Sequence, residues 1–147
     1  SHVAIVGRVE HRNINALILG LSLFKDITVS VFSLSGAINP EIYSLGSDRG
    51  IKFREVNSMN ELKNADVIYL NAPRTEAHAN LLRSRGIPTI NINQEFMDSL
   101  DDKAIVMNPI QRSGDFSIEV VDKRLAFYRQ SENALIVRMA VLMGILS

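Results

Sequence analysis

Runs rich in valine and isoleucine alternate with helical patterns along almost the whole chain, and this alternation restricts the fold more than any other feature. "HVAIVG" (2–7) reads as a strand, followed by a helix near 12–24 with Ile14, Leu17, Ile18 and Leu21 on one face. "ITVSVFS" (27–33) is a second strand. Asn39-Pro40 then opens a helix through about Leu45, proline being suited to a first helical turn. "IKFREV" (51–56) is a third strand, and Ser58 to Leu62 a short helix with Ser58 and Glu61 at capping-box spacing. "ADVIYLN" (65–71) is the strongest strand, and a helix from Thr75 to Arg85 follows it until Gly86. "PTINI" (88–92), a helix near 94–100 and "KAIVM" (103–107) continue the series. Strand and helix repeated in this way imply a mainly parallel sheet covered on both faces, with right-handed crossovers. The expected class is α/β, a three-layer αβα, Rossmann-like domain with an additional apolar C-terminal helix.

A chain of 147 residues is one domain's length and supports a real core. Formal net charge is zero and there is no basic block, so the chain lacks the electrostatic footprint of a nucleic-acid or anionic-membrane binder. The absence of cysteine excludes disulfides and thiolate metal sites. His2, His11 and His78 are scattered without metal-ligand spacing, so neither a metal nor another cofactor is expected. The nucleotide reading fails as well. Gly7 follows the first strand, but the later glycines of G-x-G-x-x-G, which let the backbone approach a pyrophosphate, are missing.

From Ala134 to Leu146 only Arg138 interrupts an apolar run. It is shorter than the about 20 residues of a membrane-spanning helix. A helix apolar nearly all round has to be buried, and one small domain is poorly placed to cover it. The expectation is that this chain is the second half of something larger.

In parallel sheets of this kind, ligands bind beyond the carboxyl ends of the strands. The residues there are "GRVEHRN" (7–13), "SLSG" (33–36), "NAPR" (71–74), "NINQ" (91–94) and "NPIQRSGD" (108–115). Arginines and amides recur at this one edge: Arg8 or Arg12, Arg74 and Arg112. Guanidinium forks suit carboxylates and phosphates, so an anionic ligand is the functional reading. Ordinary surface arginines at strand ends are the alternative.

Taken in order, these stretches resemble the aspartate-binding domain of aspartate carbamoyltransferases, over essentially the whole chain. The family's G-D strand end and G-R-T segment correspond to "VGRVEHRNINAL", with Arg12 and Asn13 at the R-T positions. "DVIYLNAPRTEA" (66–77) is similar to D-V-L-Y-x-T-R-x-Q-x-E-R, "NPIQR" (108–112) to H-P-L-P-R, and "NALIVRMAVL" (133–142) to N-G-x-x-x-R-M-A-V-L. The resemblance implies the amino-acid-binding half of an enzyme that transfers a carbamoyl group from carbamoyl phosphate to the amine of L-aspartate, in pyrimidine biosynthesis. It implies one aspartate/ornithine-binding domain over 1–147. The carbamoyl-phosphate domain lies outside this chain, and the domain alone is inactive. A cytoplasmic homotrimer of full-length chains is expected, with the C-terminal helix packed on the first domain and no nucleic-acid or membrane partner.

What the resemblance implies about the site is carried residue by residue. Arg12 falls where an arginine holds the aspartate α-carboxylate, with Asn13 in place of threonine beside it. Ala72 stands on the second carboxylate arginine, so Arg74, two residues on, is the candidate to replace it. Pro109 and Ile110 are expected to offer carbonyls to the carbamoyl amide, and Arg112 to hold the loop or a domain contact. Asn108 replaces histidine, and Gln111 replaces a proline that follows a cis bond, so a trans bond is expected there. Arg8 places a cation where the family keeps an anion. Divergence at the site leaves two other readings open: a paralogue for another amino acid such as ornithine, for which Asp115 is the nearby carboxylate, or a degenerate scaffold that binds or regulates a partner.

Overall fold

A computed structural model describes residues 1–71, 76–86, 90, 92–109 and 120–146. Its centre is a five-stranded sheet in the order β3-β2-β1-β4-β5, every pair parallel. The strands are β1 (His2–Arg8), β2 (Thr28–Ser35), β3 (Lys52–Glu55), β4 (Val67–Asn71) and β5 (Ile105–Met107). The helices are α1 (Arg12–Leu21), α2 (Pro40–Asp48), α3 (Glu76–Ser84), α4 (Gln94–Asp98) and α5 (Phe127–Leu146), with a 3₁₀ turn at Met59–Leu62. Apart from the run at 88–92, the alternation read from the sequence is the fold.

Strand position follows side-chain chemistry. β1 is central and buried from Val3 through Gly7, as a parallel strand covered on both faces must be. β3 (KFRE) lies at an edge, where Lys52, Arg54 and Glu55 face water and discourage further strand pairing. The β5 edge is extended by a single parallel bridge between Val106 and Leu125.

Two apolar cores sit on opposite faces of the sheet. One gathers Ile5, Val29 and Val31 beneath Ile14 and Ile18 of α1. Those two isoleucines, four residues apart, are fully buried, and each is worth roughly 1.5–3 kcal/mol. The other core gathers Val6, Ile68, Leu70 and Val106 with Leu62, Phe96 and Met97.

Helix boundaries differ from the sequence reading where capping decides them. α1 ends at Leu21 rather than near residue 24, because Ser22 closes it: its N–H donates to the Ile18 carbonyl and its hydroxyl to that of Leu19. α2 opens as expected, with Asn39 Oδ1 accepting the N–H groups of Glu41 and Ile42, and runs on to Asp48. The capping box at Ser58 forms only half. The Glu61 carboxylate accepts from the Asn57 N–H (3.0 Å) and the Ser58 hydroxyl (3.3 Å), but Ser58 caps no helical N–H. The Asn57 N–H is the main reason the Glu61 carboxyl sits below its usual range. Of the strand expected at 88–92, Ile90 and Ile92 are buried core residues outside any strand, and the remainder lies outside the described residues.

The C-terminal helix is longer than its apolar run, and none of its residues is buried. Leu135, Ile136, Val137, Met139, Val141, Leu142, Met143, Ile145 and Leu146 are each more than half exposed. Among the described residues no helix is long and apolar enough to cross a membrane.

Candidate functional site

The sheet order sets the position of the site. From β1 the chain moves outward to β2 and β3 on one side, and β4 returns to pair with β1 on the other. The carboxyl ends of β1 and β4 therefore flank a topological switch point, where open parallel sheets bind ligands. Gly7 pairs with Asn71, so the two strand ends lie side by side. Gly7 has φ 114°, open to glycine, and the pairing of β1 with β2 shifts register between Gly7 and Arg8. Asn71 is buried, and its Nδ2 donates to the Arg8 carbonyl at 2.6 Å.

Arg8 is not the free cation expected from the sequence. Its Nε donates to Glu10 Oε1 at 3.1 Å, and the Ser35 hydroxyl lies 3.4 Å from both Glu10 oxygens. Glu10 thus supplies, two residues on, the anion missing at position 8. A side chain on Gly36 (φ 68°) would come within 2.8 Å of Glu10, so the approach of the two loops requires glycine. Asp115, the carboxylate read from the sequence as near this edge, lies outside the described residues. Glu10 is at the edge but is already engaged by Arg8.

Arg12 and Asn13 occupy the first turn of α1, directly beyond this loop. The Arg12 guanidinium is exposed and makes no ion pair among the described residues. The first turn contains no acidic residue. Its positive dipole end therefore favours an anion, with a guanidinium beside it. Asn13 is half-buried, and its N–H donates to Nδ1 of His11, the N-cap.

Across β4 lies the end of β5. Pro109 is half-buried there. Two strand spacings of about 4.8 Å separate β1 from β5 across the sheet, and Met107, which ends β5, is level with Ile5, three residues before the end of β1. The Asn108 N–H donates to Gln130 Oε1 of α5 at 3.1 Å. Asn108 is 2% exposed, and neither polar atom of its amide has a hydrogen-bond partner among the described residues. Arg74, Ile110 and Arg112, and the peptide bond before Gln111, lie outside the described residues.

Beyond the 110–119 segment the chain is anchored by an ion pair absent from the sequence reading. Arg124 Nη2 lies 2.6 Å from Asp122 Oδ2, and Arg124 Nη1 donates to the Leu100 carbonyl at 3.1 Å. Both side chains are nearly buried. The Arg124 hydrogen bonds are the main reason the Asp122 carboxyl sits below its usual range.

The family model for the aspartate/ornithine carbamoyltransferase Asp/Orn-binding domain matches residues 1–145. The chain belongs to that family. It is 30% identical over 148 residues to the multifunctional protein CAD of Squalus acanthias, covering 98% of this chain and 7% of that protein. It is also 30% identical over 149 residues to the aspartate carbamoyltransferase catalytic subunit of Thermoplasma volcanium, covering 98% of this chain and 48% of the subunit. Among solved structures, the catalytic subunit of M. jannaschii aspartate transcarbamoylase superposes with a TM-score of 0.79 at 25% identity, covering 96% of this chain and 47% of that one. The Trypanosoma cruzi aspartate transcarbamoylase solved with carbamoyl phosphate and aspartate gives a TM-score of 0.78 at 23% identity, a likeness of fold. This aspartate/ornithine carbamoyltransferase domain spans about half the length of the catalytic subunits it matches.

Proposed function

We propose that this chain is the amino-acid-binding domain of an aspartate carbamoyltransferase, with a carbamoyl-phosphate domain supplied elsewhere in the same protein. The observation that carries the reading is the first turn of α1 at the β1/β4 switch point. It combines an exposed guanidinium, the positive end of a helix dipole and no acid of its own. Aspartate is a dicarboxylate, and one carboxylate suits Arg12 with Asn13, a charge-assisted pairing. Arg74, in the segment after β4, is assigned to the second. Pro109 and Ile110 are assigned to the carbamoyl amide through their carbonyls, and Arg112 to the loop or a domain contact. Ornithine is disfavoured because its side-chain ammonium needs a free carboxylate, and the only one in the β1–α1 loop, Glu10, is engaged by Arg8.

In the reaction, the aspartate amine attacks the carbamoyl carbon, phosphate leaves, and the amine gives up a proton. This domain's contribution is to hold the amine in line, the positioning that makes an encounter effectively intramolecular. The apolar surface of α5 is read as the docking face for the carbamoyl-phosphate domain. A homotrimer of full-length chains belongs to the same reading.

The test is succinate binding by the full-length protein saturated with carbamoyl phosphate. Wild-type protein is expected to bind, and Arg12→Ala to weaken binding at least about tenfold, as for loss of a charged hydrogen bond. Equal affinity of the two would contradict the assignment and favour a scaffold that no longer takes the amino acid.

A further inference from the structure

Glu10 occupies only part of Arg8. The Arg8 Nε donates to Glu10 Oε1 at 3.1 Å, while Nη1 and Nη2 make no hydrogen bond or ion pair among the described residues. A guanidinium carries its N–H donors in a rigid plane, so with Nε engaged the donors of both Nη groups remain. The Arg8 side chain is 20% exposed: it is held mostly within the protein and still meets solvent.

Several elements converge to hold it. The Arg8 carbonyl accepts from the Asn71 amide of β4, which fixes the main chain. At Gly7, φ 114°, the register with β2 moves, Gly7 pairing with Ser33 and Arg8 with Ser35. Irregularities of this kind re-aim a side chain at a strand end. Glu10 is seated in turn against the Ser35 hydroxyl, 3.4 Å from both carboxylate oxygens, and against Gly36. Ordering a long side chain costs entropy. Here the ordering is done before any ligand arrives, which is the condition for tight binding by few contacts.

We infer that Arg8 is a further substrate-binding residue: held by Glu10 through Nε, it offers its Nη groups to the second carboxylate of the amino-acid substrate. The inference rests on the aspartate reading above and adds a residue to it. Among the described residues at the ends of β1 and β4, the guanidinium groups are those of Arg8 and Arg12. A fork-to-fork pairing uses one guanidinium for one carboxylate, and a dicarboxylate asks for two. Arg12 is assigned to the first. Arg8 follows Gly7, which pairs with Asn71, so it stands beside the strand end from which the segment of Arg74 departs. A carboxylate has two oxygens with several acceptor sites, so Arg8 adds to the cation assigned to Arg74 without displacing it.

The pairing with Glu10 makes the idea testable, because a mere strut and a ligand cation respond differently. A strut tying the β1 loop to β2 needs the ion pair itself, so losing either partner acts alike. A ligand cation is weakened by losing Arg8 and strengthened by losing the Glu10 charge, which repels the incoming carboxylate. Glutamine at position 10 still offers an oxygen to Nε.

The experiment measures succinate affinity of the full-length protein, saturated with carbamoyl phosphate, for wild type, Arg8→Gln and Glu10→Gln. Tm and carbamoyl-phosphate affinity are read on each. Arg8→Gln is expected to bind succinate about tenfold more weakly, as for loss of a charged hydrogen bond, with carbamoyl-phosphate affinity unchanged. Glu10→Gln is expected to bind it about threefold more tightly, as for removal of one part-exposed charge contact. Arg8→Lys keeps a cation for Glu10 but not the planar fork, and serves where Arg8→Gln does not fold. It is expected to bind about threefold more weakly than wild type, a lysine being a poor substitute at a forked contact.

Equal weakening in Arg8→Gln and Glu10→Gln would overturn the inference and leave the pair a strut. Loss of carbamoyl-phosphate affinity in Arg8→Gln would overturn it too, giving the guanidinium to the other substrate. Wild-type succinate affinity in Arg8→Gln or Arg8→Lys, with Arg12→Ala weakened, removes the inference and leaves the aspartate reading standing. No succinate binding by wild type removes both.

Discussion

The Asn71 side-chain amide ends β4 by donating to the main-chain carbonyl of Arg8, 2.6 Å away at the end of β1. The bond joins the two strands at the switch point, just before the segments assigned to the substrate carboxylates. Asn71 is buried, so removing its amide leaves the Arg8 carbonyl short of a donor at a site water reaches poorly. Asn71→Ala is expected to cost about 1–3 kcal/mol and to lower Tm by roughly 2–12 °C in a domain of this size. Thermal unfolding followed by circular dichroism measures it. An unchanged Tm would show that the strand ends are held by their sheet pairing alone.

Asp122 and Arg124 provide a pH-dependent anchor. The folded state holds the Asp122 carboxyl below its usual range, chiefly through the hydrogen bonds from Arg124. The unfolded chain therefore binds this proton more readily. The pair's contribution is present in full above the ordinary aspartate value of about 3.9 and fades as pH falls below it. Asp122→Asn is expected to cost about 3 kcal/mol at neutral pH, because Arg124 is left nearly buried without its counter-ion. It is also expected to flatten the acid limb of the stability profile. Urea titrations between about pH 3 and pH 7 would show both effects, and parallel profiles for the two proteins would exclude the pair as the cause.

α5 exposes nine large apolar side chains over most of its length. Exposed apolar patches beyond a few hundred Å² mark interaction surfaces. Produced as this 147-residue chain, the protein is expected to self-associate through α5 or to fray at the end of that helix. Sedimentation velocity with hydrogen exchange separates the two. A strictly monomeric chain with α5 fully protected would show that the domain covers the helix unaided.

How far the sequence could be read depended on the range of the forces involved. Strand and helix order was legible because periodicity is local, and the Val-Ile run at 2–7 announced a strand. The asparagine cap of α2 was legible for the same reason, since Asn39-Pro40 is a contiguous signal. What escaped notice was made by residues distant in sequence or by side-chain geometry. Arg8 looked like a free cation because its partner, Glu10, is brought round only by the turn after Gly7. Asn71 and Asn108 were visible as polar residues ending apolar runs. Whether each amide was paired, as for Asn71, or left without a partner, as for Asn108, depended on the packing of neighbouring elements. The Arg124–Asp122 pair needed the carbonyl at Leu100, more than twenty residues earlier, to become an anchor.

The most direct measurement is carbamoyl transfer itself. Protein carrying this chain together with its carbamoyl-phosphate domain is incubated with carbamoyl phosphate and either L-aspartate or L-ornithine, and the ureido product is quantified beside the 147-residue chain alone. The expected result is carbamoyl-aspartate from the longer protein, little or no product with ornithine, and none from the chain alone. No product with either amino acid, or product with ornithine in preference to aspartate, would contradict the assignment of this domain as an aspartate clamp.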